Sequence, residues 1–458
     1  MQITILGHAS TLIESKAARV LVDPIFADTF ASDTLRICPA RDIDVEVLAS
    51  DLSALVITHA HLDHFHPPTL ARLSKRIPVI VPPHDFLVGA VRELGFERVI
   101  PLPAWDRISV GPGGPDGSLE LLITPSDFEW DELGVVASSP DASYWHMSDS
   151  IVTREVGARV RREVGRISLV AAKFAPLRTV IGYQRGVQSM MLDRDEIVDG
   201  FEAACAAEPA AMFPYAFGFA YAGEHAWANR HIGPYSPDEV AALFKRRLGS
   251  ACDTFTVRPG DVLTISGRTV TRKAASAGFV REKPSAPVQP WEPIDPSTLA
   301  GLPSTACRDA FSAELDDLVR RGVFPWVRLL LERRAGMFDA YHELQAVWQG
   351  VVHVSPNDRL HYAIDFREPE PPLYLGLRHP EANVFSHVSA GHLHRVLRGQ
   401  AGAELFWMAG GYRQYEKLLM IRDGRFAAPE QMGWELFEQL PDPLTQYLRK
   451  VGTERLVA

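Results

Sequence analysis

Four residues in one short run have the types and spacing to hold metal. Val56-Ile57-Thr58-His59-Ala60-His61-Leu62-Asp63-His64-Phe65-His66-Pro67 places His59, His61, Asp63 and His64 in an HxHxDH order, directly after an apolar run. Alternate residues of an extended segment share one side, so His59 and His61 can converge on one ion. The turn that follows brings Asp63 and His64 round to a second ion beside it. Imidazoles with a carboxylate suit zinc, iron or manganese, and two such ions can jointly orient a water or dioxygen. The bland alternative is a polar turn that happens to be His-rich, and four ligand types at fixed spacing argue against it. His66 extends the run and is placed to orient a ligand through its other ring nitrogen.

The elements that must position these residues are legible as alternating strands and helices. Gln2–Gly7, Ala18–Val22, Ala54–Thr58, Ile77–Val81 and Leu119–Thr124 are rich in Ile, Val and Leu and bounded by turn residues, as are Leu133–Ser138, Ser143–Ser148, Ile167–Ala172 and Ala210–Ala216. Helical stretches lie between them at Pro68–Arg76, Phe86–Leu94, Thr153–Val164 and Asp193–Ala207. Strands covered by helices predict an α/β (α+β) layered first domain over residues 1–269, closed by Phe255–Gly267. Residues 270–297, rich in Pro, Ala and Ser, read as a linker or a strap over that domain. Residues 298–458 read as a smaller α+β domain of unknown role. Its helices are expected at Phe311–Arg321, Pro325–Gly336 and around Ser386–Gly399, and its strands at Gln345–Val354, Arg359–Phe366 and Leu373–Leu377.

Composition narrows the class. The chain has 458 residues, enough for two domains, and is 46% hydrophobic and 23% charged, as soluble globular proteins are. Its formal net charge of −10 argues against nucleic-acid binding, which rests on neutralising phosphates. No apolar run is long enough to span a bilayer, so no membrane association is expected. The opening MQITILGHAS has neither a basic leader nor a long apolar core, and the expected location is cytoplasmic. Cys38, Cys205, Cys252 and Cys307 form no CxxC or CxH pair, which argues against a disulfide framework, a zinc ribbon or an iron–sulfur cluster.

The metal run, with Gly7-His8-Ala9-Ser10 and Val22-Asp23-Pro24 before it, resembles the metallo-β-lactamase superfamily. That resemblance implies an αββα sandwich with metals at one edge of its sheets. Ser148-Asp149-Ser150 is similar to the element carrying the metal-bridging aspartate, and Gly223-Glu224-His225 to the one carrying the last histidine, for which His231 competes. THAHLDHFHPPTLARLSKRIPVIV, FPYAFGFAYAGEHAW and FTVRPGDVLTISG are similar to segments of the CMP-N-acetylneuraminate hydroxylase-like group, iron-dependent oxygenases on this fold. The Rieske module of those enzymes has no counterpart in the cysteine pattern, so a nucleotide-sugar substrate is not inherited.

A second departure lies where the superfamily places the third histidine of its first metal site. Here Pro125-Ser126-Asp127-Phe128-Glu129-Trp130-Asp131-Glu132 offers four carboxylates and no histidine. Glu129 is the expected ligand by position and Asp127 the next, with His146 as a rival that strand alternation sets opposite Asp149. Two histidines and a carboxylate make a harder, more anionic site that favours iron. The resemblance further implies that His8 lines the site and that Lys173 and Arg178 hold an anionic substrate, a solvated role being the alternative for both cations. In the second domain His392 and His394 read as surface or partner residues, and Trp326, Trp348, Trp407 and Tyr412 as core.

The leading expectation is a non-haem dinuclear iron oxygenase inserting oxygen from O2 into a C–H or N–H bond of a small metabolite. His59, His61 and Glu129 would hold one iron and Asp63, His64 and His225 the other, with Asp149 bridging. Asp63 and Asp149 are the carboxylates closest to the chemistry. An external ferredoxin or reductase would supply electrons. The alternative is a dinuclear zinc hydrolase cleaving an ester, amide, lactone or phosphodiester; a degenerate metal-binding scaffold is disfavoured by the nearly complete ligand set.

Overall fold

Two β-sheets stand face to face in the first half of the chain. The computed structural model describes residues 1–16, 18–31, 33–111, 118–127, 132–173, 201–216, 218–223, 226, 229–230, 236–284, 311–323, 338–355, 357–398, 412–416, 420–422 and 425–427. These residues fall into two compact units, one within residues 1–291 and one within residues 292–447.

One sheet of the first unit runs Thr269–Lys273, Val262–Ser266, Gln2–Gly7, Ser10–Glu14, Arg19–Val22, Ala54–Val56, Val79–Val81, Val99–Pro101. It is antiparallel as far as Arg19–Val22 and parallel from there on. The other runs Arg107–Val110, Leu119–Pro125, Leu133–Ser139, Ala142–His146, Leu169–Lys173, Ala211–Tyr215, Asp253–Thr254. It is antiparallel as far as Ala142–His146 and parallel beyond. Ile3, Ile5, Val20, Val22 and Val56 of the first sheet form one core with Leu121, Ile123, Val135, Tyr144 and Ala171 of the second. Helices Arg154–Val164 and Pro237–Leu248 cover the outer face of the second sheet through Val160, Val240 and Phe244. Helix Asp85–Glu93 buries Leu87, Val88, Ala90 and Val91 on the first. This αββα arrangement is the metallo-β-lactamase fold.

Each sheet changes from antiparallel to parallel once, and the carboxyl ends of strands at such a change are where open α/β sheets leave a crevice. In the first sheet the change puts Asp23 and His59 just past the ends of Arg19–Val22 and Ala54–Val56. In the second it puts Asp149 past Ala142–His146 and Lys173 at the end of Leu169–Lys173.

The chain stays in the first unit beyond the expected boundary. Thr269–Lys273 completes a hairpin with Val262–Ser266, and Val280–Glu282 pairs with Arg41–Ile43. The segment read as a linker or a strap over the first domain therefore begins with strand residues that pair within the first unit.

The second unit is a five-stranded sheet ordered Leu373–Leu375, Arg359–Asp365, Val347–His353, Val384–Ser389, Tyr412–Glu416. Trp348, Val352, Tyr362, Ile364, Val384 and Val388 on one face pack with Leu315, Leu393 and Val396 from two helices. The helix expected from Ser386 starts at Ala390, because Val384, Ser386 and Val388 alternate as a strand onto the core. His392, expected at the surface, is 1% exposed. Trp348 is buried in the core, and His394 lies 3.3 Å from Glu314. Trp326, Trp407 and the helix at Pro325–Gly336 lie outside the described residues. Among the described residues no helix is long and apolar enough to cross a membrane.

Candidate metal centre

Three strand-end residues of the site take left-handed backbone without being glycine: His8 (φ 48°), Asp23 (φ 44°) and Ser148 (φ 54°). Such conformations persist only where surrounding contacts over-determine them. Here the contacts are plain. Asp23 is fully buried, and its Oδ1 accepts the Thr58 N–H at 2.8 Å while Oδ2 accepts the Thr58 hydroxyl at 2.7 Å. His64 Nδ1 lies 2.8 Å from the same Oδ2. Thr58 also meets His59 Nδ1 at 3.1 Å and the Ser148 hydroxyl at 2.7 Å. Gly218 packs on His8 from the other side: a Cβ there would lie 2.7 Å from the Cys38 carbonyl oxygen and 3.0 Å from the His8 backbone nitrogen.

The sequence-expected ligands come together. Possible ligand atoms converge within 4.8 Å in three overlapping groups: His59, His61 and Glu132; His59, His64 and Asp149; His8, Asp63 and His64. His59 Nε2 and His61 Nδ1 are 2.8 Å apart. His8 Nε2 reaches Asp63 Oδ2 at 3.2 Å. His64 Nε2 and Asp149 Oδ1 face each other at 3.5 Å, both buried and neither with a hydrogen-bond partner. That separation is too long for a good hydrogen bond and suits two ligands of one ion. The donor set therefore fits a pair of metal ions.

Sequence spacing does not single out Glu132 from its three acidic neighbours, and among the described residues of this segment it is the carboxylate that meets His59 and His61. The Leu133 N–H donates to the Thr58 carbonyl at 3.2 Å, which ties this segment to the metal run. Glu132 is 5% exposed, whereas Asp127 is exposed and belongs to none of the three groups. Glu129, His225, His231 and Arg178 lie outside the described residues. His146 turns away, its Nε2 contacting the Ala9 carbonyl and the Tyr215 hydroxyl. His66 Nδ1 meets the Thr69 hydroxyl at 2.8 Å instead of a ligand. Lys173 donates to the Asp149 backbone carbonyl.

The electrostatics match a site built for cations. Burial, reinforced by the neighbouring His64, pushes His59 well below the usual imidazole range, and burial lowers His61. Both rings are thereby held neutral at neutral pH, the form in which imidazole binds metal. Burial opposes charge on His64 too, but Asp63, Asp149 and Asp23 together raise it well above its ordinary value. Burial would raise Asp63 and Asp149, but His64 with His8 at Asp63, and His64 with Lys173 and His59 at Asp149, together outweigh it and hold both low. Glu132 is pushed up to about 7, chiefly by burial, with Lys173 opposing. An ion at His59 and His61 would replace the proton on Glu132.

Comparison with known proteins agrees with the fold. Residues 2–101 match the beta-lactamase superfamily domain. A Mycolicibacterium smegmatis protein named as a Rieske 2Fe-2S iron-sulfur protein is 30% identical over 158 residues, 33% of this chain and 30% of its own length. A UPF0173 metal-dependent hydrolase of Pyrobaculum aerophilum is 24% identical over 159 residues, 34% of this chain and 64% of the other. The crystal structure of CmlA, a diiron beta-hydroxylase from Streptomyces venezuelae, is 18% identical with a TM-score of 0.40, covering 56% of this chain and 52% of that one. The chain thus spans less than two thirds of the length of the sequence relatives it matches. The metal run lies within the matched residues 2–101, and the donor groups gathered there suit metal.

Proposed function

We propose that the chain is a dinuclear iron oxygenase that inserts one atom of O2 into a C–H or N–H bond of a small metabolite. Two electrons from an external ferredoxin or reductase and two protons convert the other atom to water. The observation that carries this reading is the Glu132 carboxylate beside His59 and His61. Two imidazoles with a carboxylate are a harder and more anionic donor set than three imidazoles, which favours iron and its oxidised states over zinc. In this assignment His59, His61 and Glu132, in place of Glu129, hold one ion. Asp63 and His64 would hold the other with His225, and Asp149, beside His59 and His64, would serve as a shared ligand. Once bound, the metal pair supplies the redox chemistry with O2.

The rest is done by the chain's own side chains. Asp23 takes the His64 Nδ1 proton as its hydrogen bond and so turns Nε2 toward the metals. Lys173, anchored to the Asp149 carbonyl, presents a cation to an anionic substrate group. His8, stacked on Phe30 and edge-on to Phe219, closes one wall and limits water there. The 2Fe-2S cluster in the name of the mycobacterial relative supports an iron–sulfur donor.

The second reading, a dinuclear zinc hydrolase, is favoured by the UPF0173 metal-dependent hydrolase relatives. The same donors would then activate a water to cleave an ester, amide, lactone or phosphodiester. Glu132→His separates the two. If the carboxylate selects iron, the variant stays folded and metal-bound, takes up zinc at the expense of iron and loses O2-dependent turnover. An unchanged iron-to-zinc ratio on metal analysis would contradict the reading.

A further inference from the structure

We propose that His8 is itself a metal ligand and completes, with Asp63 and His64, the site of the second ion. The inference rests on the two-metal reading of the centre and not on which metals fill it. Ligand atoms of these three residues lie within 4.8 Å of one another. They come from two separate loops: His8 from the turn between Gln2–Gly7 and Ser10–Glu14, the other two from the metal run.

The distances are those of donors around one ion. Bonds of about 2.0–2.2 Å, at angles of about 90–110°, set neighbouring donors about 2.8–3.6 Å apart. His8 Nε2 lies 3.2 Å from Asp63 Oδ2, and His64 Nε2 lies 3.6 Å from the same oxygen. The second separation is too long for a good hydrogen bond, so a shared proton does not account for it. The His8 side chain is fully buried, and among the described residues its Nδ1 makes no hydrogen bond. With no acceptor at Nδ1, nothing fixes the ring's proton on one nitrogen, and Nε2 is free to offer its lone pair.

Backbone and neighbours commit the ring to this direction. His8 holds φ 48°, a strained conformation for a residue with a side chain. Phe30 stacks on the ring at 6.0 Å and Phe219 meets it edge-on at 5.3 Å, so it is held between them and the metal run. An apolar residue would close this wall as well, but it would bring no donor atom to Asp63. An imidazole here takes a position on the ion that water would otherwise hold.

The competing account makes His8 a hydrogen-bond donor that merely orients Asp63. His8→Gln separates the two, because its amide N–H reaches about as far as Nε2 and keeps that hydrogen bond while removing the ring. The test is a Co2+ titration of the metal-free full chain followed by proton NMR, in which the ring N–H of each coordinated histidine gives a hyperfine-shifted signal. At saturating Co2+ the variant should lose one such signal and keep the others. Its second Co2+ should bind roughly 100-fold more weakly, the upper end of what losing even an outer partner costs. His8→Asn, whose side chain tolerates left-handed backbone, should behave alike and serves if the glutamine variant does not fold. A full set of shifted signals in the variants would overturn the inference, whether or not binding weakens. The wild-type count, two Co2+ per chain if the two-metal reading holds, comes from the same titration. Failure of that reading therefore shows in the count, and failure of the His8 assignment shows in the signals.

Discussion

Asp23 sets which ring nitrogen His64 offers to a metal, and it does so from a fully buried position. Asp23→Asn keeps the shape and removes the anionic acceptor, so metal affinity should fall ~10–100-fold while the protein stays folded. Competition with a metallochromic chelator measures the loss, and an unchanged affinity would mean that Asp23 only closes the Thr58 turn. Glu132 gives the centre a pH dependence. Its carboxyl, raised to about 7 by burial, must lose its proton when an ion binds, so apparent affinity should fall as pH drops below 7 and level off above it. Glu132→Gln should flatten that profile. The same shift acts on the metal-free fold in the opposite direction. The folded state holds this proton more tightly than the unfolded chain, so its contribution is full below the ordinary carboxylate range and is lost as pH rises through about 7. The HxHxDH run was readable because its ligands are local. Glu132 was not, because four carboxylates stand within six residues and what ties Glu132 to the metal run is a long-range contact, the Leu133–Thr58 hydrogen bond.

At the scale of elements, the site rests on loops that leave both sheets, and one buried cation ties together two that leave the first. Arg41 is 1% exposed and donates to the carbonyls of Leu6, Ile25 and Ala27, next to the turns that carry His8 and Asp23. Arg41→Met fills similar volume but leaves three carbonyls without their donor. It should cost about 3 kcal/mol of stability, read in denaturant unfolding, and weaken metal binding in step. Loss of stability with full metal affinity would show that the loops hold their geometry without it. The strands that build the sheets were legible because they are short apolar runs closed by turn residues; Gln2–Gly7 lies where the pattern put it. Ser10–Glu14 was hidden because it starts on the last residue of the GHAS turn and carries only two apolar residues, Leu12 and Ile13. The left-handed backbone at His8, Asp23 and Ser148 has no sequence signature, since none is glycine.

On the scale of the whole molecule, each unit has its own hydrophobic core, one centred between the two large sheets and one behind the five-stranded sheet. Separate cores unfold as separate cooperative units unless an extensive interface couples them. An ion that binds only the folded first unit raises its unfolding temperature by mass action. Calorimetry should therefore show two transitions, with chelation lowering one of them by several degrees and leaving the other in place. A single transition that shifts as a whole would contradict independent cores. The change of composition after residue 297 pointed to two units. The exit from the first unit was harder to read, because the short strand Val280–Glu282 sits in a Pro-, Ala- and Ser-rich stretch and owes its existence to a distant partner, Arg41–Ile43.

The central claim is that a carboxylate in place of a third imidazole makes this centre an iron site that works with O2. The most direct measurement is competitive loading of the metal-free protein with equal amounts of Fe2+ and Zn2+ under anaerobic conditions, followed by metal analysis and by O2 uptake with a chemical reductant. Two tightly held irons per chain are expected, with reductant-dependent O2 consumption that Glu132→His abolishes. Two tightly held zincs per chain, with no O2 uptake from the iron-loaded protein, would contradict it.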